Sequence, residues 1–205
     1  MVITAVKTEQ IIDTTEANKM LKLLGYGLTD PVVICCYGET NKYFPKRKRN
    51  RNYDWAEVTL QAKEGRAGLF AQAQKALQDP KTQNLGFINS PGGVAKKKRK
   101  EVTVGNLLCY EIDSESLEDQ WKAWEDAHLP KPTMVLFTGS KSYHVYYRLD
   151  NYYPISTIEL YRKRLSQTIF NYTGFTTDHA MHSAVQVTRL AGWIHPQTNQ
   201  RSTIK

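Results

Sequence analysis

In "LLCYEID", Glu111 and Asp113 stand one residue apart. Side chains alternate between the faces of a β-strand, so both carboxylates point the same way, about 7 Å apart along the strand. Cys109 shares their side, while Leu108, Tyr110 and Ile112 take the other. Carboxylates at this spacing can bridge or share hard divalent cations, because Mg2+ favours carboxylate oxygens combined with substrate phosphates. A second pair sits in "SYHVYY", where Ser142 and His144 alternate with Tyr143, Val145 and Tyr147. An imidazole on that polar face can donate to a phosphate oxygen. Beyond Asp150 the acidic residues are Glu159 and Asp178. Glu159 belongs to a helix face that reads as solvated, which leaves Asp178 to complete a cluster. Arg189, on the last predicted strand (184–193), is a lone cation there, suited to holding a triphosphate. His179 and His182 beside Asp178 have a His-x-x-His spacing, weak evidence for a transition metal away from a helix.

Each signal has an ordinary counterpart: a strand end running into a helix cap, a half-buried strand histidine, a turn aspartate. Together they form the set needed for two-metal nucleotidyl transfer. The metals activate a 3′-hydroxyl and stabilise departing pyrophosphate, while positive side chains hold the triphosphate.

These residues need elements to position them. "VGNLLCYEID" (104–113) reads as a strand. "SESLEDQWKAWEDAH" (114–128) reads as a helix with a serine cap and an apolar stripe of Leu117, Trp121 and Trp124. "TMVLFTG" (133–139) is a strand, joined by a turn at Gly139-Ser140 to the strand bearing Ser142 and His144. A helix over 154–174, opened by Pro154 and closed by Gly174, and a strand over 184–193 complete β-α-β-β-α-β, the split βαβ pattern of RRM-like folds. In that order the strands of Glu111 and His144 are neighbours, and their polar sets share the open face of the sheet. Upstream, 13–27 reads as a helix capped by Asp13 or a nearby threonine and ended by Gly25, 31–37 as a buried strand, 54–78 as mostly helical with interruptions at Gly65 and Gly68, and 84–89 as a strand followed by a turn over 90–93.

The 205 residues carry a formal charge of +8, all of it from the first 105. The excess gathers in "KRKRNR" (Lys46, Arg47, Lys48, Arg49, Arg51) and "KKKRK" (Lys96, Lys97, Lys98, Arg99, Lys100). Such runs suit polyphosphate or nucleic acid, and the aromatics of "YFPKRKRNRNYDW" can stack on bases. A solvated loop or a nuclear-localisation-like address is the plainer reading. No stretch approaches 18 apolar residues, which argues against a transmembrane helix, and the N-terminus lacks a signal-peptide pattern. Cys35, Cys36 and Cys109 make no disulfide framework and suit a reducing cytosol.

"CYEID", "SYH", Asp178 and the following "RLAGWIH" (189–195) together resemble the archaeo-eukaryotic primase superfamily, the primase-polymerases. That family has an acid-x-acid pair at a strand end, Ser-x-His on a hairpin strand, a later carboxylate and an "RLPG"-like signature. "GFINSPGG" (86–93) is similar to its strand-turn segment. The resemblance spans roughly residues 84–196. Glu replaces the more usual Asp at the start of the first motif, a ligand one methylene longer, and Ala191 replaces proline.

The resemblance implies an α+β fold of two lobes, a basic N-terminal α/β lobe (1–105) and an RRM-like catalytic lobe (106–205). It implies Mg2+ or Mn2+ on Glu111, Asp113 and Asp178, with Ser142, His144 and Arg189 at the phosphates of an incoming dNTP or rNTP. Its partners are a single-stranded DNA template and a primer strand, with a helicase or further C-terminal domain in a longer parent protein. It implies no membrane, and a cytoplasmic, nucleoid-associated setting. Two alternatives remain open on the residues. One is a non-catalytic RRM-like single-strand binder, which would carry aromatics where Glu111, Asp113, Ser142 and His144 stand. The other is a rolling-circle nicking endonuclease with Tyr161 as nucleophile, although it needs His-x-His in place of Ser-x-His.

Overall fold

The computed structural model describes residues 12–27, 30, 32–38, 47–50, 53–61, 65–77, 82–88, 102–184, 186–195 and 198–205. Asp13 accepts from the N–H groups of Thr15 and Glu16 and so starts helix α1 (Thr14–Leu23), which buries Ala17, Met20 and Leu21. Gly25, at φ +89°, lets the chain leave the helix. Strand β1 (Val33–Gly38) follows, then β2 (Arg47–Asn50), β3 (Tyr53–Gln61), helix α2 (Gly65–Leu77) and β4 (Thr82–Ile88). The expected helix over 54–78 is therefore wrong in its first third, where β3 runs. "AEVTLQ" contains good helix formers, but Ala56, Val58 and Leu60 alternate with Glu57, Thr59 and Gln61, and pairing to β1 in the register Val33↔Gln61 uses that period of two.

The second half begins with β5 (Val104–Glu111), α3 (Leu117–Asp126), β6 (Met134–Phe137), β7 (Tyr143–Pro154) and α4 (Ile155–Thr173). A 3-10 turn (His179–His182), β8 (Val187–Arg189) and β9 (Thr203–Ile204) end the chain. Gly174 closes α4 in the left-handed conformation, as the sequence predicts.

Two antiparallel sheets result, ordered β2-β3-β1-β4-β8 and β5-β7-β6-β9. The expected βαββαβ sheet is thus only partly realised: β5, β7 and β6 assemble as anticipated, but the last strand of that pattern, β8, joins β4 in the other sheet. The outer edge of β5 supplies the reason. The carbonyls of Leu107 and Glu111 lie four residues apart and so face the same edge. The first accepts from the Arg162 guanidinium of α4, and the second from the Asp178 N–H. These contacts occupy the edge where a fourth strand would pair.

The β5-β7-β6 sheet packs its two faces differently. Tyr110, Ile112, Val135, Val145 and Tyr147 form a core with Ala123 and Ala127 of the α3 region and Leu165 and Ile169 of α4. Leu107, Cys109, Met134, Leu136 and Tyr146 join a second core with α1, β1, α2 and the segment Leu190–Trp193. That core draws on both halves of the chain. No helix among the described residues is long and apolar enough to cross a membrane.

Candidate active site

Glu111 and His144 are direct cross-strand partners in the β5–β7 ladder. His144 Nε2 lies 3.1 Å from Glu111 Oε2, and Ser142 Oγ donates to Oε1 at 2.5 Å. Both oxygens of one carboxylate are thereby held by the two residues of the Ser-x-His pair. The Arg189 N–H reaches His144 Nδ1 at 3.3 Å. The imidazole is thus held at both ring nitrogens, Nε2 by the Glu111 carboxylate and Nδ1 by the Arg189 N–H. Thr138 steadies the other end of the hairpin by donating from Oγ1 to the Ser142 carbonyl at 2.9 Å.

The expectation of an open polar face is overturned. Ser142 is 3 % exposed, His144 5 % and Tyr146 fully buried. They lie beneath the core that α1 and the segment Leu190–Trp193 build against this face, because Cys109, Leu136 and Tyr146 pack there too. Polar groups survive such burial when they are hydrogen-bonded, as Glu111, Ser142 and His144 are. The acidic group opens to solvent only at the rim, where Asp113 is exposed and Asp178 half-buried.

Electrostatics follow from that gradient. Burial pushes the Glu111 carboxyl up, but the His144 ring and the Ser142 hydroxyl outweigh it and hold the pKa down at about 2. Desolvation and the Glu111 charge hold Asp113 above the usual aspartate range, with Asp178 adding to the push and Lys141 opposing it. Burial lowers Arg189 to about 10 against the attraction of Glu111. Its guanidinium carbon stands 4.5 Å from the centre of the Trp193 ring.

Asp178 is tied in through its backbone: its N–H donates to the Glu111 carbonyl at 2.8 Å. Its side chain caps the 3-10 turn, Oδ1 accepting from the Ala180 N–H at 2.9 Å. In this arrangement, no three His, Cys, Asp or Glu side chains among the described residues stand close enough to hold one ion. The donor set still fits a hard divalent cation. It consists of carboxylate oxygens, and their mutual repulsion already disfavours the ionised form of Asp113. His179 and His182 stack on each other, their ring centres 5.2 Å apart, and His182 Nε2 is engaged with Ser166 Oγ at 2.9 Å.

Of the basic residues, Arg47, Lys48 and Arg49 fall on β2. Lys46, Arg51 and Lys96, Lys97, Lys98, Arg99 and Lys100 lie outside the described residues, as does the 90–93 turn. Two contributors escaped the sequence reading. Lys141 Nζ lies 3.8 Å from Asp113 Oδ2, and its signal was a lysine in the turn just ahead of Ser142. Gln120 is 2 % exposed on α3. It donates to the carbonyls of Glu115 and Lys141 and accepts from the Tyr143 N–H. These bonds correct the predicted α3 stripe in part: Gln120, Ala123 and Ala127 face inward and Trp124 is half-buried, while Leu117 and Trp121 are exposed.

No family model matches the sequence, and no curated protein matches it. The structure, however, is similar to the AEP domain of the cyanophage S-2L primase-polymerase (PrimPol), with a TM-score of 0.71 and 24% identity over 95% of this chain and 90% of that one. This chain has the primase-polymerase fold. It is also similar to the polymerase domain of Mycobacterium tuberculosis Ligase D, solved in complex with DNA, with a TM-score of 0.58 and 11% identity over 95% of this chain and 79% of that one. Within the primase-polymerase fold, two features weigh against the other readings. An RRM-like binder needs an exposed sheet face, and this one is covered. A nicking tyrosine needs to approach the acids, whereas Tyr161 packs on Tyr153. Tyr153 pairs with Gly105, six residues along β5 from Glu111 and about 20 Å from it at strand spacing.

Proposed function

We propose that the chain is a template-dependent nucleotidyltransferase, adding nucleotides to a 3′-hydroxyl as a DNA primase or DNA polymerase does. The observation that carries this reading is the direct opposition of Glu111 and His144 across β5 and β7, with Ser142 on the same carboxylate. The fold shared with a primase-polymerase and with a polymerase domain solved on DNA supports it.

In this proposal Glu111, Asp113 and Asp178 hold Mg2+ or Mn2+, which when bound neutralises phosphate charge and activates the 3′-hydroxyl. The chain's own residues do the rest. Ser142 and His144 fix the rotamer and ionisation of Glu111, and contact with a triphosphate would require them to turn away from that carboxylate. Arg189, braced on Trp193, supplies fixed positive charge for the phosphates. Lys141 offsets the negative charge at Asp113. The basic first lobe (1–105), through Lys46–Arg51 and Lys96–Lys100, tracks the template and primer backbone, and the second lobe (106–205) carries the chemistry.

The test is extension of primed and unprimed single-stranded DNA with dNTPs or rNTPs and Mg2+ or Mn2+. Product that disappears in the Glu111→Ala/Asp113→Ala double variant supports the proposal. Template binding without synthesis, unchanged by that variant, refutes it, and a covalent adduct at Tyr161 would point to nicking instead.

A further inference from the structure

Arg162 sits on α4, which contributes none of the acidic, Ser-x-His or phosphate-holding residues above, and it is 2 % exposed. Burying a guanidinium is costly unless its N–H groups find acceptors. Here the acceptors include backbone carbonyls in two separate segments. Nε and Nη2 donate to the Leu107 carbonyl of β5 at 3.2 and 2.9 Å. Nη1 donates to the carbonyls of Met181 and Ser183 at 3.3 and 2.6 Å. The first segment leads to Glu111 and Asp113, and the second follows directly from Asp178.

One turn further along α4, Ser166 grips the other side of the same segment. Its hydroxyl accepts from Thr177 Oγ1 at 2.7 Å and is 2.9 Å from His182 Nε2. The stretch 177–183 is thus held from below by two α4 residues at i and i+4. At its start, the Asp178 N–H meets the Glu111 carbonyl. A rigid planar fork fixes both distance and angle between the segments it joins, which a flexible ammonium does not.

We propose that Arg162 is a positioning residue for the acidic group, setting where Asp178 stands relative to Glu111 and Asp113 by clamping the 177–183 segment to the outer edge of β5. The role of that acidic group rests on the nucleotidyl-transfer reading; the clamp itself does not. Arg162 acts through Asp178 and touches neither substrate nor ion. Its removal frees the segment at its far end while the Asp178 N–H still tethers its start to β5, and the third carboxylate samples a wider range of positions.

The experiment compares Arg162→Met, Arg162→Lys and Ser166→Ala with Ile169→Val, a buried α4 change on the other core, all brought to equal global stability with urea. Amide hydrogen exchange is followed at Asp178 and Ala180, and Mn2+ binding is measured directly without nucleotide. In Arg162→Met we expect exchange at these two amides to quicken by about tenfold beyond the Ile169→Val control. Mn2+ affinity should fall by about 10–100-fold, the usual effect of losing a group that orients a ligand. Arg162→Lys should fall between wild type and Arg162→Met, and Ser166→Ala should show the same local pattern more weakly. Acceleration spread evenly over the molecule, or local acceleration with unchanged Mn2+ affinity, overturns the proposal. Both readouts are independent of synthesis. A localised effect in a protein that extends no primer therefore leaves the clamp standing and removes the nucleotidyl-transfer reading. An active wild type with uniform loosening does the reverse.

Discussion

Replacing Ser142 with alanine removes one donor from a carboxylate that has little access to water. Ser142 Oγ lies 2.5 Å from Glu111 Oε1, and the Glu111 side chain is 14% exposed, so solvent can replace the bond only in part. A charge-assisted hydrogen bond of this kind contributes about 1.5–3 kcal/mol. Thr138 keeps its bond to the Ser142 carbonyl, so no second donor is orphaned. Ser142→Ala should therefore cost about 2 kcal/mol near neutral pH, or about 4–8 °C in Tm for a chain of this size. The cost must also depend on pH. The folded pKa of Glu111, about 2, lies below its ordinary 4.5. The stabilisation is therefore complete above the ordinary value and lost as pH falls through the folded one. Ser142→Ala moves the folded value back up, so the gap between wild type and variant should be widest above pH 4.5 and shrink steadily below it. Urea unfolding at about pH 7 and about pH 3, with an unchanged m-value, measures this. A penalty equal at both pH values, or below about 0.3 kcal/mol at neutrality, would refute the assignment of this bond to ionised Glu111.

Gly192→Ala should destabilise by about 2–4 kcal/mol in the same urea assay, because its φ is +83° and a Cβ would collide with the Asp13 carbonyl oxygen. Gln120→Leu should cost about 2–4 kcal/mol in thermal unfolding by orphaning the Tyr143 N–H and two carbonyls; a loss under about 0.5 kcal/mol would mean water serves them equally well. Lys141→Met should leave stability within about 0.5 kcal/mol, since the pair with Asp113 is exposed. It should also raise the Asp113 pKa further, read by carboxyl NMR titration, and an unmoved titration would remove Lys141 from the electrostatics of the group.

The parts of the site carried by strand alternation were legible in the sequence. "LLCYEID" and "SYHVYY" each sort their residues to two faces by a period of two, and the structure keeps that sorting, with Tyr110 and Val145 on one side and Glu111 and His144 on the other. What covers the polar face was not legible. It depends on α1 and Trp193, far away in sequence, reaching a core shared with Cys109 and Tyr146. The partner of β8 was hidden for a similar reason, because three residues, Val187–Arg189, carry no preference between two sheet edges. Contacts made by Arg162 and Asp178 decide it. On α3, hydrophobicity favoured Trp121 for the interior, but the three hydrogen bonds of Gln120 set the rotation of the helix.

An edge strand has no strand partner on one side, and β5 covers part of that side with a guanidinium and a turn. An unpaired edge invites strands from neighbouring molecules. Among the described residues, the Arg162 guanidinium and the Asp178 N–H take up two of the β5 carbonyls, so substitution at Arg162 would uncover part of that edge. Resistance to edge-to-edge association would then draw on some of the same atoms that arrange the acidic residues, and variants selected for better yield would be expected to leave Arg162 alone.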